Sequence, residues 1–170
     1  FASAGIGNQN HLAVEMFASA AGLKLVHVPH KGTAPALTDL MSGQVAMMLT
    51  SAAAVAAHIG AGKMRLLATA SPKRPAAFPD VPTIAESGYP DVIVLGWTGI
   101  VAPNGTPPDI LAKLSRELGR HLTATDVRQT LTVRGSELTP STPEVFGAFI
   151  RAEIEKWSKV IRAVGLEHSQ

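Results

Sequence analysis

Within its first 70 residues the chain repeats one pattern three times: a small or polar loop, an apolar helical run, a glycine, and a short β-rich stretch. Asn8 precedes helical sequence from about Gln9 to Ala21, with Leu12, Val14, Met16, Phe17 and Ala20 available for burial, and Gly22 stops it. An Asn side chain accepts from a first-turn N–H, and glycine takes the left-handed conformation past a helix end without steric cost. Leu23 to Val28 (LKLVHV) alternates and is expected to be a strand. Thr33 is expected to cap a helix from about Ala34 to Met41, with Pro35 tolerated in its first turn and Gly43 ending it. Val45 to Leu49 (VAMML) then fits a short buried strand. Ser51 opens a third, alanine-rich helix ended by Gly60 or Gly62, and Met64 to Ala70 (MRLLATA) is the next strand. Such alternation confines the chain to an α/β fold with a parallel sheet and crossover helices.

In a sheet of that kind ligands sit beyond the C-terminal ends of the strands, where the helix N-termini also lie. The loop from Ser3 to Asn8, the loop His30 to Thr33, and Thr50-Ser51 therefore fall on one edge. A helix N-terminus presents unbonded backbone N–H groups and a partial positive charge. Three of them converging would hold a carboxylate with no catalytic side chain. Taken singly, Asn8, Thr33 and Ser51 are ordinary caps, each contributing about 1 kcal/mol of helix stability.

The second half has a different texture. Pro72, Pro75, Pro79, Pro82 and Pro90 punctuate a surface loop, with one helical turn after Thr83. Val92 to Val101 (VIVLGWTGIV) is expected to be a long strand passing between lobes, which sets a boundary between residues 1–92 and 93–170. Thr106 and two prolines start a helix from about Asp109 to Leu122, and another runs from about Asp126 to Val133, ended by Gly135. Ser141 to Glu144 (STPE) matches a capping box. The final helix carries Phe146, Phe149, Ile150, Ile154, Trp157, Ile161 and Val164 on one face. Trp97, between glycines, is expected in the core or against a ligand, and Trp157 in helix packing.

Enzyme chemistry finds no foothold. The chain has no cysteine, so thiol nucleophiles and disulfides are excluded. GxSxG, HExxH and the phosphate-loop pattern are absent, and Gly5-Ile6-Gly7 lacks the third glycine of a dinucleotide site. No pair of the six histidines stands at i,i+4; His27 and His30 without a nearby carboxylate make a poor metal site, and Asp39 has no obvious second acid. No metal and no cofactor are expected. A formal charge of +2 with no basic run beyond Lys73-Arg74 argues against nucleic acid. No apolar run reaches the roughly 18 residues of a membrane helix. No signal peptide is visible and the chain starts at Phe1 without Met, which reads as a processed chain or a fragment.

Four ordered motifs carry a resemblance: HVPHKGTAPALTDLMSGQVAMM, KRPAAFPDVPTIAESGYP, GWTGIVAPNGTPPDILAKLSREL and STPEVFGAFIRAEIEKWSKVI. They resemble the periplasmic receptors of tripartite tricarboxylate transporters, also called Bug receptors. The resemblance implies a type 2 periplasmic-binding-protein fold of two α/β lobes, closing on a carboxylate that is delivered to membrane transporter subunits. It implies that residues 1–92 are the complete second lobe and 93–170 the returning C-terminal part of the first, with the strand before the Ser3 loop missing. A partial lobe is expected to expose apolar surface and self-associate. By the same resemblance Ser3, Ala4, Gly7 and Asn8 match the loop that holds a ligand carboxylate, Gly32 and Thr33 the next loop, and Thr50 and Ser51 the third. Thr50 and Ala46 stand where the family commonly has an aspartate, and His30 replaces its usual tyrosine. Without that acid a ligand amino group has no partner, which favours a plain mono- or dicarboxylate. The alternative is the ligand-sensing domain of a transcription regulator with the same two-lobe fold.

Overall fold

The computed structural model describes residues 1–133 and 138–167. It forms two compact units: Phe1–Gly96 together with the segment from Lys156 onward, and Trp97–Glu155.

The first unit is built on a short parallel ladder. β1 (Ala2–Ser3) pairs with β2 (Val28–Pro29), placing Ala2 opposite Val28 and Ser3 opposite Pro29. On its other side Ala2 bridges Met48, also in parallel. Four backbone bonds hold the three segments: Val28 N–H to Phe1 O (2.8 Å), His30 N–H to Ser3 O (3.0 Å), Gly32 N–H to Ala4 O (3.1 Å) and Ala2 N–H to Met47 O (3.0 Å). A strand before the first loop is therefore present, contrary to the expectation that it was missing: it is β1, and it occupies the middle of the ladder. Its neighbours are small, so helices pack close: Ala2, Ala36 and Val45 form a buried cluster with Leu40 and Met48 against it.

α1 (Gln9–Ala20) starts where Asn8 predicts, with Asn8 Oδ1 accepting the His11 backbone N–H at 2.8 Å. It buries His11, Leu12, Ala13, Val14 and Ala18. Fully burying Val14 contributes roughly 1.5–3 kcal/mol. Its end is a glycine turn: Gly22 sits at φ 64° and Leu23 N–H returns to Ala18 O. α2 (Thr33–Met41) starts one residue earlier than expected, because its cap is Gly32 and not Thr33. Gly32 has φ 116°, a conformation that side chains rarely adopt, so the turn out of β2 places glycine at the cap and Thr33 inside the first turn. α3 (Ala52–Gly60) follows Ser51, and of the two candidate stops Gly62 takes the left-handed turn while Gly60 stays helical.

The expected strands are much shorter than their sequences. Of Leu23–Val28 only Val28 enters β2; Leu23 and Val26 are exposed. Val45–Leu49 contributes one bridge, at Met48. Met64–Ala70 contributes one, Thr69 to Thr83, and Val92–Val101 forms no strand: Val94 N–H donates to Ala70 O, and Leu95 O accepts from the Gln9 side chain at 2.9 Å. Apolar composition alone does not make a strand; a ladder neighbour is required. The loop before it is ordered as expected: Thr83 Oγ1 accepts from Glu86 N–H (3.0 Å), Glu86 Oε2 accepts from Thr83 N–H (2.8 Å), and Arg74 Nε donates to Glu86 at 2.9 Å. Tyr89 from this loop meets Phe17 of α1 edge-on at 5.3 Å.

The second unit contains α4 (Pro108–Leu122) and α5 (Thr125–Val133), and α6 (Pro143–Ala163) begins within it. The expected stop of α5 at Gly135 lies outside the described residues. The cap of α6 is Thr142, whose Oγ1 accepts from Val145 N–H at 3.3 Å, and not Ser141. Pro143 at the first helical position fixes that register, so Glu144 cannot complete a capping box. Neither α4 nor α6 buries a side chain, and Ile110, Leu111 and Leu114 of α4 are exposed. Trp157 is half-buried, with the Lys156 ammonium 4.9 Å from its ring centroid.

Candidate functional site

β1 delivers the chain into the loop Ala4–Asn8, and this loop is tied down from below. Ser3 is fully buried. Its hydroxyl reaches Gly5 O (2.9 Å), Gly5 N (3.2 Å) and His27 Nε2 (2.6 Å). A hydroxyl has one proton and two acceptor positions. Donating to Gly5 O and accepting from Gly5 N–H and His27 Nε2–H uses all three, which assigns the His27 proton to Nε2. Gly7 N–H donates to His11 Nδ1 at 3.0 Å, so His11 carries its proton on Nε2, 3.6 Å from Glu15.

These two histidines lie face to face, with centroids 3.7 Å apart at 13°, and Phe1 stacks on His27 at 4.8 Å. Burial holds His11 below the ordinary imidazole range, against an opposing pull from Glu15. Burial, followed by the charges of His11, the Phe1 ammonium and His30, lowers His27 to about 4. Both rings are thus neutral near pH 7.

The neighbouring loops follow the ladder. The N-terminus of α2 adjoins the first loop through Gly32 N–H to Ala4 O. His30 braces it, with Nδ1 3.0 Å from Val28 O and Nε2 2.8 Å from Asp39 Oδ2 on α2. Asp39, for which the sequence offers no partner, therefore has one. Thr50 and Ser51 follow the Met48 bridge and lead into α3; Ser51 is the cap position but its side chain makes no capping bond. The three loops leave the same end of three parallel segments, and the first turns of α1, α2 and α3 end there. Of the expected site residues, Asn8, Ala4 and Gly7 lie on this edge and Gly32, Thr33, Thr50 and Ser51 beside it, whereas Ser3 lies beneath with its oxygen fully engaged. Trp97 belongs to the second unit, half-exposed, edge-on to Phe146 and Phe149 at 5.6 Å each.

Sequence reasoning singled out no role for His11 and weighed His27 only as a metal ligand with His30. His11 shares a stripe with Val14 and Ala18 at i,i+3,i+7, and His27 shares the alternation phase of Leu25, so both periodicities point them inward. Among the described residues no group of three His, Asp or Glu is placed to hold a metal ion.

Residues 1–166 match the family model described as "Tripartite tricarboxylate transporter family receptor". The chain belongs to the tripartite tricarboxylate transporter receptor family. A relative from Pseudomonas sp. strain P51, described as a protein of the tcbD-tcbE intergenic region, is 39% identical over 171 residues, covering all of this chain and 51% of its own length. BugT of Bordetella pertussis is 37% identical over 165 residues, 97% of this chain and 51% of BugT. Among solved structures, R. palustris Rpa4515 with adipate superposes with a TM-score of 0.87 at 32% identity, over 97% of this chain and 55% of that one. The periplasmic binding protein BugD gives 0.81 at 34%, over 96% and 56%. MatC from Rhodopseudomonas palustris with bound malate gives 0.77 at 34%, over 94% and 55%. The chain thus spans about half the length of these relatives. It has their α/β periplasmic-binding-protein fold, as one lobe with the C-terminal part of the other.

Proposed function

We propose that this receptor-family chain binds a small plain carboxylate at the edge formed by the Ala4–Asn8 loop and the first turns of α2 and α3. The observation that carries the reading is the convergence of three helix N-termini on one end of one parallel ladder. Backbone N–H groups there, with Asn8, Gly32, Thr33, Thr50 and Ser51 around them, supply donors and no acid or base to do chemistry. Charge-assisted bonds contribute about 1.5–3 kcal/mol each, so one from each terminus gives roughly 5–9 kcal/mol, a dissociation constant between millimolar and sub-micromolar. Adipate and malate in Rpa4515 and MatC support the ligand class. With Thr50 and Ala46 where an acid would meet an ammonium, the preference is for ligands without one.

In this reading residues 1–92 are the ligand-holding lobe and 93–170 the returning part of the other. The protein works in the periplasm, catalyses nothing, and hands its carboxylate to membrane transporter subunits. The exposed apolar face of α4 makes the isolated chain self-associate, and a monomer by light scattering would refute that part. The test of the binding reading is calorimetric titration of the chain, and of a version extended to the length of its relatives, with adipate, malate and aspartate. Heat with adipate or malate supports it; binding of aspartate alone overturns it.

A further inference from the structure

A stacked histidine pair, His11 buried and His27 partly so, supports the proposed carboxylate loop: His11 bonds Gly7 N–H directly, and His27 bonds the Ser3 hydroxyl that holds Gly5. We infer that His11 and His27 are the positioning residues of the Ala4–Asn8 loop, holding it as a neutral stacked pair through Gly7 N–H to His11 Nδ1 and His27 Nε2 to Ser3 Oγ. This inference rests on the carboxylate reading for its purpose, though its geometry stands without it.

The argument is one of donor and acceptor arithmetic. His11 Nδ1 serves Gly7 only as a lone pair; a proton there sets two N–H groups against each other, and the loop loses its tie. A second proton on His27 goes to Nδ1 and places a cation in a stack whose centroids are 3.7 Å apart. That proton leaves the Nε2–H on Ser3 Oγ in place, so its cost falls on the stack, while the loss of the loop's tie comes from His11. The charged groups facing the stack are Glu15 from α1, the Phe1 ammonium on β1, and His30 in the β2–α2 loop, itself paired with Asp39 of α2. Glu15 favours a proton on His11, and the Phe1 ammonium, with any charge on His11 or His30, opposes one on His27. The loop is therefore organised at neutral pH and released in acid, independently of any titration of the carboxylate ligand.

The test uses the 170-residue chain labelled with ¹⁵N, followed by NMR from about pH 7.5 to about pH 3.5, a range that passes the ordinary imidazole value and the value of about 4 at His27. Expected are Nε2-protonated tautomers for His11 and His27 at the upper limit, and a Gly7 amide that shifts together with the His11 ring. His11→Gln, whose amide oxygen offers an acceptor that does not titrate, keeps the Gly7 shift and abolishes its pH response; His11→Leu loses the shift at every pH. Adipate and malate titrations run alongside, with wild-type affinity falling about tenfold per pH unit below the titration and the His11→Gln affinity less steep. A Gly7 amide indifferent to His11 protonation, or a His11 protonated on Nδ1 at the upper limit, overturns the positioning role. Intact coupling without adipate or malate binding strikes at the carboxylate reading instead.

Discussion

Replacing His27 by Phe keeps a ring against His11 and Phe1 but removes the proton acceptor, which isolates what that imidazole does to stability in acid. Above pH 6.5 His27 is neutral whether folded or unfolded and contributes nothing that depends on pH. As pH falls the unfolded chain takes the proton first, while the folded one waits until about 4. Stability is therefore lost progressively across that window and levels off below it. At about 1.4 kcal/mol per pH unit the full displacement amounts to about 3 kcal/mol. His27 is only partly buried, so solvent screening brings the expected loss to about 1–3 kcal/mol. The substitution also strips Ser3 Oγ of one partner, a cost of about 1–3 kcal/mol that is the same at every pH. Urea unfolding of both chains at about pH 7, 5 and 4 separates the two effects. The variant is expected to start weaker and to lose less on acidification; identical slopes for the two chains would refute the assignment.

Other perturbations read other parts of the fold. Asn8→Ala removes the cap on the His11 N–H and is expected to cost about 1 kcal/mol in thermal unfolding, with Asn8→Asp close to wild type. Gly32→Ala meets no atom within 4 Å but must adopt φ 116°, so its expected cost of about 1–3 kcal/mol is purely conformational. At Gly99 an added Cβ would run into the Phe146 ring, so Gly99→Ala is expected to displace that ring from Trp97 and shift the tryptophan emission toward a more exposed environment. Glu86, held below the ordinary carboxylate range first by Thr83 N–H and then by Arg74, stabilises above its unfolded pKa and loses that contribution as acid protonates the folded form. Glu86→Gln is therefore expected to flatten unfolding stability below about pH 4.5 relative to wild type.

Helix positions were legible because their punctuation is local. Asn8 and Gly22 act within one turn of the backbone they cap or stop, and the sequence states them directly; for α3 it narrows the stop to Gly60 or Gly62, of which Gly62 takes the turn. Strand extents were not, since Leu23–Val28 and Val92–Val101 have the composition of strands but pair only where another segment lies alongside. The cap errors at Thr33 and Ser141 have the same root: a glycine-only φ at Gly32 and a proline at position 143 decided the register, and hydroxyl preference did not. The loops of the candidate site could be placed on one edge by alternation alone. What stayed hidden was the support beneath them, because the His11–His27 contact joins α1 to the approach to β2 across 16 positions and has no fixed spacing to recognise.

Hanging the loop from the middle segment of the ladder has a consequence for mutagenesis. The proposed grip on the carboxylate consists of amide hydrogens, which every residue except proline supplies alike. An alanine scan along Ala4–Asn8 and the starts of α2 and α3 would report caps, strain and packing, and leave the grip itself silent. Amide-to-ester replacement in the backbone, which deletes one N–H and spares the side chain, is the substitution that reaches it. By the same logic a site of the proposed kind leaves side chains free to diverge, and with them the acid preferred, while the main chain carries the proposed hold on the carboxylate.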